Sequence, residues 1–197
     1  MITSIPYESN EQITPHINAR EIRCKCGKPH STLYDRETLE KIETLISEVA
    51  RYYNTTPENT HIYISSGYRC KNHDVAVGGS GNGTHTAGYA LDFEMKAGAK
   101  GVDSKVIAAI AKDIGFTGIG RINNHYIHVD NAPVSMHGGC RWLGDETKPG
   151  GTSGSVIKDS ESYWNYYNIT PPTKKPKTLD ITITVAGITY TGTLTEK

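Results

Sequence analysis

Between Val77 and Gly83 the chain reads Val-Gly-Gly-Ser-Gly-Asn-Gly, and four glycines in seven residues exclude a stable helix or strand there. The backbone must bend sharply or pass close to something, so the elements on either side have to organise around a loop. On the upstream side Asp35 is a predicted N-cap, and Leu39, Ile42, Leu45, Ile46, Val49 and Tyr53 recur at helical spacing, which predicts a helix over 36–53. Thr55-Thr56-Pro57 ends it. The β-formers of His61–Ser65 then predict a short strand that delivers Tyr68 and Arg69 to a loop after the Ser66-Gly67 turn.

Downstream, Tyr89–Met95 alternates, with Leu91, Phe93 and Met95 on one face and Ala90, Asp92 and Glu94 on the other. A second helix is expected from the cap at Asp103, the stripe Val106, Ile107, Ile110 and Ile114, and the stop at Gly115. Gly118–Ile122, an Asn123-Asn124 turn and His125–Asp130 read as a hairpin. This order predicts the α+β class, a small antiparallel sheet with flanking helices.

Three prolines and three lysines between Thr170 and Lys177 mark a semi-extended linker, so the chain divides into a domain at 1–169, a linker at 170–178 and a tail at 179–197. In the tail, Ile181, Ile183 and Val185 alternate with threonines before an Ala186-Gly187 turn and a second strand. A hairpin this small is marginal alone, which predicts packing on the core or self-association into a homo-oligomer.

The 197 residues carry 21 basic and 21 acidic side chains, a balance that offers no basic face for nucleic acid. No apolar run has the length of a membrane span or a signal h-region, so a soluble, leaderless chain is expected. Cys24, Cys26, Cys70 and Cys140 read as free thiols. A structural metal site built from all four is the alternative, although Cys24-Lys25-Cys26 lacks the two-residue spacing of a zinc knuckle.

A catalytic zinc ion needs three nitrogen or oxygen ligands and one open position. Such ligand types occur at two places. His85 ends the flexible loop and Asp92 leaves the polar face of the next strand, while His125, His128 and Asp130 lie on the returning strand of the hairpin. Residues three apart on an ideal strand face opposite sides, so His125 and His128 converge only if the strand is bent or bulged.

With Ser66-Gly67-Tyr68-Arg69, Val77-Gly78-Gly79, the spacing of His85, Gly88, Ala90 and Asp92, Gly118-Ile119-Gly120 and His128-Val129-Asp130, the stretch from about Cys24 to Trp142 resembles the zinc D-alanyl-D-alanine peptidases and related peptidoglycan endopeptidases, which share a fold with the Hedgehog signalling domain. The resemblance implies a zinc cofactor held by His85, Asp92 and His128. It implies His125 as the catalytic acid/base and Arg69 as a catalytic and substrate-binding residue for a carboxylate or carbonyl. Gly83 and Asp74 stand where many relatives have serine and asparagine.

Asp130 reads either as a partner orienting a ligand histidine or as a strand end. Trp142 and Tyr126 read equally as core or as substrate platform, and His16, His30, His61, His73 and His137 as ordinary surface or core histidines. The expected activity is hydrolysis of a peptidoglycan peptide, D-alanyl-D-alanine in type, by a phage or prophage lysin made in a bacterial cytoplasm and released to the wall. An L-alanyl-D-glutamate or other cross-bridge endopeptidase, and a non-catalytic zinc-stabilised wall-binding or virion module, are the alternatives.

Overall fold

Asp35 both closes a strand and caps the longest helix, and that junction organises the first third of the chain. In the computed structural model, which describes residues 1–148, 157–172, 178–186 and 188–195, strands β1 (Ile2–Ile5), β2 (Gln12–Thr14) and β3 (Ile17–Asn18) lead to the short helix α1 (Ala19–Ile22). Strand β4 (Thr32–Asp35), antiparallel to β1, runs directly into α2 (Arg36–Tyr52). The Thr38 N–H donates to the Asp35 carboxylate at 3.0 Å, satisfying one of the free donors of the first turn. Leu39, Ile42, Leu45, Ile46 and Val49 are all buried, as their spacing predicts.

Strand β5 (Thr60–Ser66) and a short helix α3 (Lys71–Ala76) precede the glycine-rich loop. After it come β6 (Ala90–Ala97), a two-residue strand β7 (Lys100–Gly101) and α4 (Ser104–Ile114). Asp103 caps α4 through the Lys105 N–H, and Gly115 ends it at φ +92°, a left-handed conformation that glycine adopts without steric penalty. The chain continues through β8 (Gly118–Arg121), β9 (Ile127–Asp130), β10 (Trp142–Asp145) and α5 (Tyr163–Tyr166) to the terminal pair β11 (Thr178–Val185) and β12 (Ile188–Thr195).

The main sheet has the order β10-β8-β9-β6-β5, with β7 added beside β6. It is mixed rather than purely antiparallel. Strand β10 lies parallel to β8 because the chain leaves β9, turns through Val134–His137 and comes back along the outer edge. Helices α2 and α4 pack on each other and on the sheet, covering the face that carries Phe93, Met95, Ile119, Ile127, Val129 and Leu143. The other face is left for chemistry.

Two rows of residues cross that second face. Ser66, Asp92, His128, Gly120 and Gly144 are successive cross-strand partners, and so are Ala90, Asp130, Gly118 and Trp142. The glycines of Gly118-Ile119-Gly120 make the rows possible. A Cβ on Gly118 would overlap the Asp130 carboxylate, and one on Gly120 would overlap the Trp142 ring.

The terminal strands pair antiparallel with each other over their full length, Thr178 opposite Thr195 and Val185 opposite Ile188. Of the predicted linker, residues 173–177 lie outside the described residues. No helix among the described residues is long and apolar enough to cross a membrane.

Candidate metal centre

His85, Asp92 and His128 arrive from three different directions. His85 sits at the end of the glycine-rich loop, Asp92 in the middle of β6, and His128 directly opposite Asp92 on β9. One donor atom of each converges on a single point. His85 Nε2 lies 3.2 Å from Asp92 Oδ1 and 3.2 Å from His128 Nδ1, and His128 Nδ1 lies 2.8 Å from Asp92 Oδ1. Ligand atoms around a tetrahedral zinc, each about 2.0–2.2 Å from the metal, stand roughly 3.3 Å apart, so the spacing matches that geometry.

The remaining ring nitrogens fix which lone pairs face the point. His85 Nδ1 is 2.8 Å from the Gly67 carbonyl, a partner that can only accept, which assigns the proton to Nδ1 and leaves Nε2 free to ligate. His128 Nε2 is 3.1 Å from Asp130 Oδ2, which in the same way turns Nδ1 toward the cluster. Asp130 is fully buried and is itself held by the Ala132 N–H at 2.9 Å and by His137 Nε2 at 2.9 Å. It therefore contacts the ring of His128 as an orienting partner would.

Such a set concentrates negative potential. Burial opposes a charge on Asp92, but the His128 and His85 imidazoles outweigh it and hold the carboxyl well below the usual carboxylate range. Burial likewise opposes protonation of His128, yet the carboxylates of Asp130 and Asp92 push its pKa up to about 10. The three residues form a group that could hold a metal ion, for whose lone pairs a metal and a proton would compete.

Arg69 stands beside the cluster. Its Nε donates to Ser66 Oγ at 2.7 Å, Nη1 to Asp74 Oδ1 at 3.2 Å, and Nη2 to the Asp92 oxygen that does not face the histidines. Asp74 is buried and also accepts from the Gly81 N–H at 2.8 Å, while a Cβ on Gly79 would overlap its carboxylate. The glycine-rich loop is thus wrapped around Asp74, which fixes Arg69, which in turn braces Asp92.

These residues line an open cleft of about 530 Å³. Trp142 forms one wall, edge-on to the His128 ring with centroids 5.7 Å apart. Two further titratable groups border it that the sequence reading left out. His137 is brought in by the Val134–His137 turn and its bond to Asp130. Glu146 follows β10, where Leu143 and Asp145 point inward and Trp142 and Glu146 reach the cleft, a parity visible in the sequence once β10 is recognised as a strand. Glu146 is exposed at the rim, where some loss of solvation and the nearby charge of Asp92 raise its carboxyl above its ordinary value. Its backbone is anchored by the N–H donating to the Arg121 carbonyl at 2.8 Å. The buried Arg121 guanidinium ties this corner together through Ser104, Asn124 and Thr147.

His125, which the resemblance implies as the acid/base, is not among the residues that line the cleft. Asn123 Oδ1 accepts from the N–H groups of both His125 and Tyr126, at 2.8 and 2.9 Å, which widens the turn and leaves His125 outside the ladder of β9. The histidine is exposed, and its Nδ1 lies 3.9 Å from where a Cβ on Gly101 would stand. Tyr126 also lies outside the cleft lining.

Two imidazoles and one carboxylate at an open position are the donor set of metal-dependent hydrolases. The sequence model of the family Peptidase M15 matches residues 15–130, more than half of the chain and the whole of the three-residue cluster, and the protein belongs to that family. Among curated proteins no match to the chain is found.

Proposed function

We propose that the protein is a zinc peptidase acting on the peptides of bacterial peptidoglycan, with His85, Asp92 and His128 as the metal ligands. The observation that carries this reading is the convergence of three donor atoms within hydrogen-bond distance of one another, two of them imidazole nitrogens turned inward by acceptors on their far sides. Zinc held there would supply Lewis acidity, lowering the pKa of water to about 7 and polarising the scissile carbonyl. Membership of the Peptidase M15 family supports peptidoglycan-type peptides as the substrate class.

The chain's own groups divide the remaining work. Asp130 holds the His128 ring in register, and Arg69 steadies Asp92 while keeping unassigned N–H donors for a substrate carboxylate or carbonyl. Glu146 takes the proton-transfer role that the resemblance assigns to His125. It lines the same cleft as the three ligands, and a carboxyl group there can accept a proton and return it. Trp142 provides an apolar wall against which a peptide side chain can lie.

The test is digestion of purified peptidoglycan by the full chain, followed by mass analysis of the new termini. Release of D-alanine or of peptides cut at a D-alanyl bond supports the reading in its first form, and cleavage after L-alanine shifts it to the L-alanyl-D-glutamate endopeptidase. No new terminus in the presence of zinc would refute both.

A further inference from the structure

Away from the cleft, a second group of ligand-type side chains converges, and it uses the thiols that the proposed peptidase chemistry leaves idle. Donor atoms of Cys24, Cys26, His30 and Cys70 all lie within 4.8 Å of one another. We propose that these residues hold a second, structural zinc ion, which clips the N-terminal segment to the loop carrying Arg69. Cys140, the fourth thiol, is exposed and stands apart.

The backbone brings these residues together independently of the sulfurs. The Tyr68 N–H donates to the Ile22 carbonyl at 2.8 Å, and Gly67 approaches Ile22 so closely that a Cβ would meet its backbone. That pairing sets Cys24 beside Cys70 although 46 residues separate them, with the Cys70 N–H donating to Cys24 Sγ at 3.3 Å. Gly27, at φ +74°, then turns the chain so that the Lys28 N–H reaches back to Cys26 Sγ at 3.4 Å and His30 comes alongside. Backbone N–H groups aimed at sulfur stabilise negative charge on it, which is what a ligating thiolate requires.

His30 is prepared in the same way as the cleft histidines. Its Nδ1 lies 3.3 Å from the Ser31 carbonyl, which assigns the proton there, and its Nε2 lies 3.1 Å from Cys26 Sγ. The Tyr68 ring meets His30 edge-on with centroids 5.8 Å apart and flanks the cluster. Three sulfurs and one imidazole make a four-ligand set with no open position, the composition of a structural zinc site rather than a catalytic one. Its place explains what it would do. Cys70 adjoins Arg69, so fixing Cys70 fixes the loop from which Arg69 reaches Asp92.

Metal content and cobalt spectroscopy of the full chain, purified under reducing conditions, test the proposal. After exchange of zinc for cobalt, a thiolate-to-metal charge-transfer band in the near ultraviolet is expected, which the nitrogen and oxygen donors of the cleft cannot produce. Cys26→Ser and Cys70→Ser should each lose one zinc equivalent together with that band, whereas His85→Ala should lose one equivalent and keep it. A wild-type chain that shows the band but binds a single zinc would support this site and count against the cleft. Absence of the band in the wild-type protein, or a disulfide joining two of Cys24, Cys26 and Cys70 in zinc-replete protein, would overturn the proposal without recourse to any variant that fails to fold.

Discussion

At the scale of single residues, the difference between His125 and Glu146 shows how a few hydrogen bonds decide a role. The carboxamide of Asn123 takes two backbone donors and turns His125 out of the strand, while the Arg121 carbonyl takes one and fixes Glu146 at the cleft. Glu146→Gln, which keeps shape but removes the titrating carboxyl, should slow peptide cleavage by roughly a hundredfold or more and leave zinc content unchanged. His125→Ala should stay within about a factor of three of the parent, since an exposed turn residue outside the cleft touches no reacting group. Steady-state kinetics on a soluble peptidoglycan fragment compares the two directly, and the opposite ranking would return the proton-transfer role to His125. Sequence spacing could not separate them, because strand parity is defined only where the strand begins and the width of the turn decides that.

At the scale of elements, the candidate metal centre depends on space left by glycine and on caps that hold the helices behind the sheet. Gly118→Ala would drive a methyl into the Asp130 carboxylate and displace the partner of His128. A loss of about 1–3 kcal/mol of stability and a ten- to hundredfold weakening of zinc binding are expected, read by denaturant titration and by competition with a chelator. Wild-type affinity in a folded Gly118→Ala protein would mean that Asp130 does not orient the ligand. Asp35→Ala, which uncaps α2, should cost about 1 kcal/mol. Burial opposes the charge on Asp35, but hydrogen bonds from the Met1 amino group and from Thr38 outweigh it and hold the pKa below its ordinary value. That contribution is therefore complete above the unfolded-state pKa of about 3.9 and is lost as pH falls through the lower folded value. The difference between parent and variant should shrink in acid, and a difference that grew there would reverse the assignment. Both helices, the caps at Asp35 and Asp103 and the alternation in β6 were legible because each is a local pattern. The parallel edge strand β10 was not, because nothing local in Trp142–Asp145 says which neighbour it will join or in which direction.

At the scale of the whole molecule, the sheet carries the cleft, and among the described residues the terminal hairpin supplies none of its lining. Every described residue lining the cleft precedes Thr147, so deleting residues 171 to 197 should leave cleavage of small soluble peptides unchanged. The alternating apolar positions of the tail lead us to expect self-association, and light scattering of the full and shortened chains checks it. A full-length chain that is monomeric at micromolar concentration, with loss of wall pelleting on truncation, would make the tail a wall anchor instead. That His85, Asp92 and His128 belong together was implied by the family resemblance, and the structure brings their donor atoms within 4.8 Å of one another. The role of His30 was not legible, because the group it shares with Cys24 and Cys26 is completed by Cys70, forty residues later. The central claim is that the three-residue cluster is a zinc centre on which hydrolysis depends. It is tested most directly by the appearance of new amino termini from purified peptidoglycan, measured for the parent and for His85→Ala, Asp92→Ala and His128→Ala with zinc in excess. The account predicts release by the parent and none above background by any folded variant, whereas undiminished release by all three would contradict it.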